Sequence, residues 1–228
     1  MFEKEKKHII EAGIKLDRYG LISLAGGNVS MRLSSGELLV TPSGMIYEDM
    51  VEDDVVVMDG SGKIIEGKRK PSSDTGAILY IFEKRPDINA IIHTHQPYAT
   101  AISLIQDEFT ADLTTLGNAC RGSVKCSPYS SPGSVDMGMD TVNYLGDQLA
   151  VILSHHGVMT VGEDLKTALN AAVYLEECAK GYLAARACGP IRHLTDEQIK
   201  QTAEIYKYVG QGKSEIPKEL LNRDGIKG

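Results

Sequence analysis

Positive charge is scarce in this chain and nowhere gathered. Its 24 basic residues are outnumbered by 31 acidic ones, a net charge of −7, and the longest basic run is Lys68-Arg69-Lys70. Nucleic acids and anionic membranes both select clustered positive charge, so neither is expected as the main partner. An anionic small molecule stays open, because a pocket can collect backbone N–H donors whatever the global charge. Long apolar runs are missing too. None spans a bilayer, and Met1-Phe2-Glu3-Lys4-Glu5-Lys6-Lys7 lacks the apolar stretch of a secretory signal. Cys120, Cys126, Cys178 and Cys188 form no CxxC pair, and without an export signal they read as reduced thiols. A soluble cytoplasmic protein is the expectation.

Neither a GxGxxG nor a Walker pattern occurs, so nucleotide binding has no support. No repeat, low-complexity tract or Pro/Ser-rich linker divides the chain, and residues 1–228 read as a single domain. With 42% hydrophobic and 24% charged residues, a core of useful size needs no staples.

What is present is a mixture of helical and strand patterns. The spacing of Ile9, Ile10, Ala12, Ile14 and Leu16 predicts a helix ending near Gly20. Strands are predicted over 37–41, 55–58, 89–93 and 149–153. Helices are predicted from an N-cap at Ser72 or Ser73 to Pro86, over 99–105, over 135–145 and over 163–187. Thr195 and Gln198 form a capping box that opens a final helix. Without strict βαβ alternation, this predicts an α/β fold whose central mixed or antiparallel sheet carries helices on both sides.

Three of the six histidines stand at the ends of apolar strand candidates: His93 and His95 after Ile91-Ile92, His156 after Ile152-Leu153. Residues i and i+2 of a strand share a face, so His93 and His95 can offer both imidazoles to one metal ion. A third nitrogen from a neighbouring strand end leaves coordination positions open for substrate, as in a catalytic zinc site. An HxH pair also arises by chance, and His155-His156 also suits a surface turn. Two such clusters, both capping very apolar strands, favour metal. His8 and His193 read as ordinary surface residues without partners.

Ala25-Gly26-Gly27-Asn28-Val29-Ser30 and Thr41-Pro42-Ser43-Gly44 read as small-residue turns, and Pro71-Ser72-Ser73 stands at a helix start. Exposed N–H groups and a helix dipole suit phosphate; each segment alone suits a plain turn better, but three together beside the histidine set favour phosphate.

The order Gly26-Gly27-Asn28-Val29-Ser30, Thr41-Pro42-Ser43-Gly44, Lys70-Pro71-Ser72-Ser73-Asp74, His93-Thr94-His95 and His155-His156-Gly157 resembles the class II aldolase/adducin family, from the first helix to about Gly210. That family includes L-fuculose-1-phosphate aldolases and L-ribulose-5-phosphate 4-epimerases. The resemblance implies a divalent ion, usually Zn2+, on His93, His95 and His156. It implies phosphate binding by Asn28, Ser43, Gly44, Ser72 and Ser73, and a homotetramer with active sites between subunits. Asp74 stands where the aldolases carry a general acid/base glutamate and the epimerases an aspartate; alone, it also suits the helix dipole. A C-terminal catalytic tyrosine corresponds to Tyr206 or Tyr208, with Tyr208 preferred. Thr114 replaces an aldolase tyrosine, and Asn118 stands where the epimerase carries an aspartate; an amide cannot serve as that acid/base. The aldolase is therefore the expected activity, with a ketose 1-phosphate as substrate. The 4-epimerase is the alternative, ahead of a related dehydratase or decarboxylase and a non-catalytic adducin-like module.

Overall fold

The structure, a computed structural model, describes residues 2–209 and 214–221. Nine strands form one sheet: β1 (Asn28–Arg32), β2 (Leu38–Val40), β3 (Val56–Met58), β4 (Ile64–Glu66), β5 (Ala90–Thr94), β6 (Glu108–Phe109), β7 (Val124–Ser127), β8 (Ala150–Leu153) and β9 (Gly157–Gly162). Their order is β4-β3-β2-β1-β5-β9-β8-β7-β6, and among the described residues only the β7–β8 pairing is parallel. The predicted mixed sheet is therefore present.

The helices are α1 (Glu3–Arg18), α2 (Thr75–Lys84), α3 (Pro97–Ile102), α4 (Thr114–Ala119), α5 (Val135–Leu145), α6 (Leu165–Cys188), α7 (Asp196–Tyr206) and α8 (Lys218–Leu221). Strand alternation decides which face each one covers. Leu38, Val40, Val56, Met58 and Ile91 point into a core with Ala77, Ile81 and Met137 of α2 and α5. Their neighbours Leu39, Val57 and Ile92 point the other way, against Ile9 and Leu16 of α1. Helix α6 serves both cores, through Ala171 and Leu175 on one side and Ala168 and Ala172 on the other. Its alanines let a 24-residue helix lie close to the sheet.

Local signals hold where caps are explicit. Both halves of the Thr195 capping box form, at 3.2 Å to the Gln198 N–H and 2.9 Å from the Thr195 N–H to Gln198 Oε1. Asp164 caps α6 by accepting from the Thr167 N–H at 2.7 Å.

Two expectations need correcting. Residues 25–30 are not all turn, because Asn28, Val29 and Ser30 belong to β1, paired with β2 and β5. Nor is His193 without a partner: its Nδ1 lies 2.9 Å from Asp112 Oδ2, which ties the segment before α7 to the loop before α4. The four cysteines are free thiols, three of them buried.

Candidate active site

The middle of the sheet brings the histidines together. His93 lies in β5 opposite Asn28 of β1 and Met159 of β9. His95 stands just beyond the end of β5, on the same face as His93. His156 ends the three-residue turn that joins β8 to β9, where Leu153 pairs with Gly157. That turn needs His155 in the left-handed region (φ 61°), a conformation open to histidine at modest cost. The chain reversal carries His156 back over the strand pair, and the three ring centroids come to 4.8–5.2 Å of one another.

Two glycines make this approach possible. A Cβ on Gly157 would lie 2.3 Å from the Thr94 carbonyl oxygen and 3.2 Å from both the His93 and His95 rings. A Cβ on Gly27, whose φ is 75°, would lie 2.4 Å from the His93 carbonyl oxygen. Any side chain at either position pushes β5 aside.

The donor set suits a divalent ion. One nitrogen from each imidazole lies within 4.8 Å of the other two. A carbonyl can only accept, so the Val158 oxygen, 2.9 Å from His93 Nδ1, fixes the proton there and leaves the Nε2 lone pair free. His93 Nε2 and His95 Nε2 are 3.1 Å apart, so two lone pairs oppose each other unless a proton or a cation sits between them. His156 Nδ1 is buried with no hydrogen-bond partner among the described residues. Burial, then the neighbouring His95 and His156, push the His93 pKa down to about 3. Burial first, and His95 next, also lower that of His156, against a weaker opposing pull from Asp74. Neutral imidazoles are the metal-binding form.

Asp74 adds the carboxylate. It occupies the N-cap position of α2 without capping it. Its side chain, in a residue only 7% exposed, turns instead to Asn28, whose Nδ2 donates to Oδ2 at 2.7 Å. The same oxygen lies 3.9 Å from His93 Nε2. The dipole-only reading of Asp74 therefore does not describe where its carboxylate goes.

The candidate phosphate segments close round the same cleft, of about 170 Å³. Backbone bonds from Ser43 N–H to the Lys70 carbonyl (3.0 Å) and from Ser72 N–H to the Thr41 carbonyl (3.1 Å) tie the two turns side by side. Ser43, Gly44, Ser72 and Ser73 all line the cleft with Asp74 and the three histidines. Asn28 reaches it through Asp74. Tyr208, half-buried just past α7, is not among the lining residues, nor are Thr114 and Asn118 of α4. The Tyr206 side chain lies outside the described residues.

A match to a family fits this geometry. The model of the Class II Aldolase and Adducin N-terminal domain covers residues 7–183. The chain belongs to the class II aldolase and adducin family. It is similar over nearly its whole length to 5-deoxy-D-ribulose 1-phosphate aldolase from Bacillus thuringiensis serovar kurstaki, at 32% identity over 212 residues (92% of this chain, 99% of the relative). It is 34% identical over 208 residues to L-fuculose phosphate aldolase from Escherichia coli strain K12 (91% of this chain, 96% of the relative). A solved L-fuculose 1-phosphate aldolase shares the class II aldolase fold with a TM-score of 0.86 at 31% identity, covering 91% of this chain and 98% of that one.

Some of the residues that build this site carry no chemical signature in the sequence. Gly27 and Gly157 act through the space they leave, and Val158 through its main chain. The glycine directly after His156 was the nearest thing to a signal.

Proposed function

We propose that this chain is a metal-dependent aldolase that reversibly cleaves a ketose 1-phosphate, such as L-fuculose 1-phosphate, to dihydroxyacetone phosphate and a short aldehyde. One observation carries the reading: three imidazoles, a buried carboxylate and two anion-suited turns meet in one cleft. The near full-length relatives named as ketose-phosphate aldolases support it.

In this reading His93, His95 and His156 hold a divalent ion, with Zn2+ the choice that suits three nitrogens and open positions. When bound, that ion supplies Lewis acidity where charge develops as a C–C bond breaks beside a carbonyl. Asp74 holds and moves the proton at the carbon that becomes the nucleophile, and Asn28 keeps its carboxylate aimed. Ser43, Gly44, Ser72 and Ser73, with Asn28 beside them, take the phosphate. Binding energy remote from the reacting carbon then fixes the orientation of the donor half. Tyr208 acts from a neighbouring copy, in a cytoplasmic homotetramer of single-domain subunits.

The test is a coupled assay for dihydroxyacetone phosphate release from L-fuculose 1-phosphate and from 5-deoxy-D-ribulose 1-phosphate, with and without chelator. Release that chelator abolishes is expected. Conversion of L-ribulose 5-phosphate to D-xylulose 5-phosphate, with no release from either ketose 1-phosphate, would replace the aldolase by the 4-epimerase.

A further inference from the structure

The helix behind the site carries a buried carboxyl group that the proposed chemistry does not use. Glu176 of α6 is 0% exposed. A carboxylate in that setting is costly unless hydrogen bonds satisfy it. Both oxygens are satisfied by one short stretch of main chain. Oε1 accepts from the Tyr98 N–H at 3.1 Å and Oε2 from the Ala99 N–H at 2.9 Å. These are first-turn N–H groups of α3, the helix that begins two residues after His95.

A second tie lies one helical turn earlier on α6. Gln96 Nε2 donates to the Ala172 carbonyl at 3.2 Å, and Gln96 Oε1 accepts from Thr94 Oγ1 at 2.6 Å. Thr94 and Gln96 are both buried. They flank His95, which is itself exposed and lies past the last β5–β9 pair, Thr94 with Val158. The sheet ladder therefore stops one residue short of this histidine. Short helices are ordinarily capped by their own N-cap side chain. Here the N-cap is Gln96, whose side chain makes no such bond, and the cap comes from Glu176, 78 residues away from Tyr98.

We propose that Glu176 and Gln96 are positioning residues for His95, holding the bend from Thr94 to Ala99 against α6 so that its imidazole stays in register with His93 and His156. The inference rests on the metal reading of the three histidines. Residues that orient a ligand without touching the ion control metal affinity strongly. Simple anchoring of α3 predicts a less stable protein with an unchanged metal site, so affinity separates the two roles.

The experiment is titration of the metal-free, full-length protein with Co2+, followed by its visible spectrum, in the parent, Glu176→Gln and Asp164→Ala. Glu176→Gln preserves size but turns an NH2 group against one of the two N–H donors. Asp164→Ala removes the N-cap of the same helix and lowers its stability far from the bend. The expected result is a Co2+ Kd raised by about tenfold or more, with a shifted spectrum, in Glu176→Gln alone. Asp164→Ala should lower Tm and leave both Kd and spectrum as in the parent. If Glu176→Gln does not fold, Gln96→Leu cuts the second tie and takes its place in the same comparison. Cobalt binding by the bend variant within about twofold of the parent, with the same spectrum, would overturn the proposal. So would equal weakening in Asp164→Ala. A parent that takes up no cobalt would overturn the metal reading itself, and the positioning role with it.

Discussion

Asp74 occupies a position where a carboxylate ordinarily serves its own helix, yet it serves a different strand. Its bond to Asn28 at 2.7 Å leaves the first turn of α2 without a side-chain cap. The cap is forgone to keep a carboxylate within 3.9 Å of His93 Nε2. Asp74→Asn removes the proposed base while keeping its shape, and it leaves all three imidazoles in the chain. Turnover should fall by roughly two to four orders of magnitude, the usual span for a positioned acid/base group. Metal content, measured by elemental analysis of the same preparation, should stay at the parent level. Unchanged kcat would remove Asp74 from the mechanism.

At the scale of elements, the close approach of α6 to the sheet decides the geometry of the site's back wall. Ala168, Ala171 and Ala172 are fully buried there, and Thr160 Oγ1 of β9 donates to the Ala168 carbonyl at 3.0 Å. Ala172→Leu drives extra methyl groups into a surface with no room for them. The expected loss is about 1–3 kcal/mol, the usual cost of overpacking a core. It should appear as a Tm several degrees lower by calorimetry, with activity reduced because β5 and β9 move with the helix. The same elements show what a sequence can disclose. Helix α5 (Val135–Leu145) and strands β5 and β8 were legible because apolar period and flanking turns are local properties. Strand β9, by contrast, is buried on both faces, so it shows no polar–apolar alternation. Strand β6 is two residues long and exists only through its pairing with β7. The site divides in the same way. His93 and His95 announce themselves by i, i+2 spacing. Glu176 looks in sequence like any solvent-facing glutamate of a long helix, because only the fold reveals the N–H groups it meets.

For the whole molecule, the proposed role of Tyr208 bears on assembly. Within one copy it stands outside the cleft, past a helix that packs on α4 rather than on the histidines. The role proposed for it in the reaction therefore calls on a second copy. Mixing two inactive variants tests this directly. His93→Ala lacks the metal frame and Tyr208→Phe lacks the phenol, so mixed oligomers can contain sites in which both are intact. Partial recovery of aldolase activity after co-refolding is expected, and a mixture as inactive as its parts would return Tyr208 to the surface.

The two strands beneath the histidine cluster, β5 and β9, lie in the middle of the nine, with four strands on one side of the pair and three on the other. Fraying begins at edges and termini and seldom reaches such a pair. The backbone amides around His93 and Val158 are therefore expected to exchange hydrogen among the slowest in the protein. Those of His95 and His156, on a bend and a turn, are expected to exchange faster. An ion held by all three histidines, as proposed, would then exchange by movement of two ligands about a third that stays fixed until the entire sheet opens.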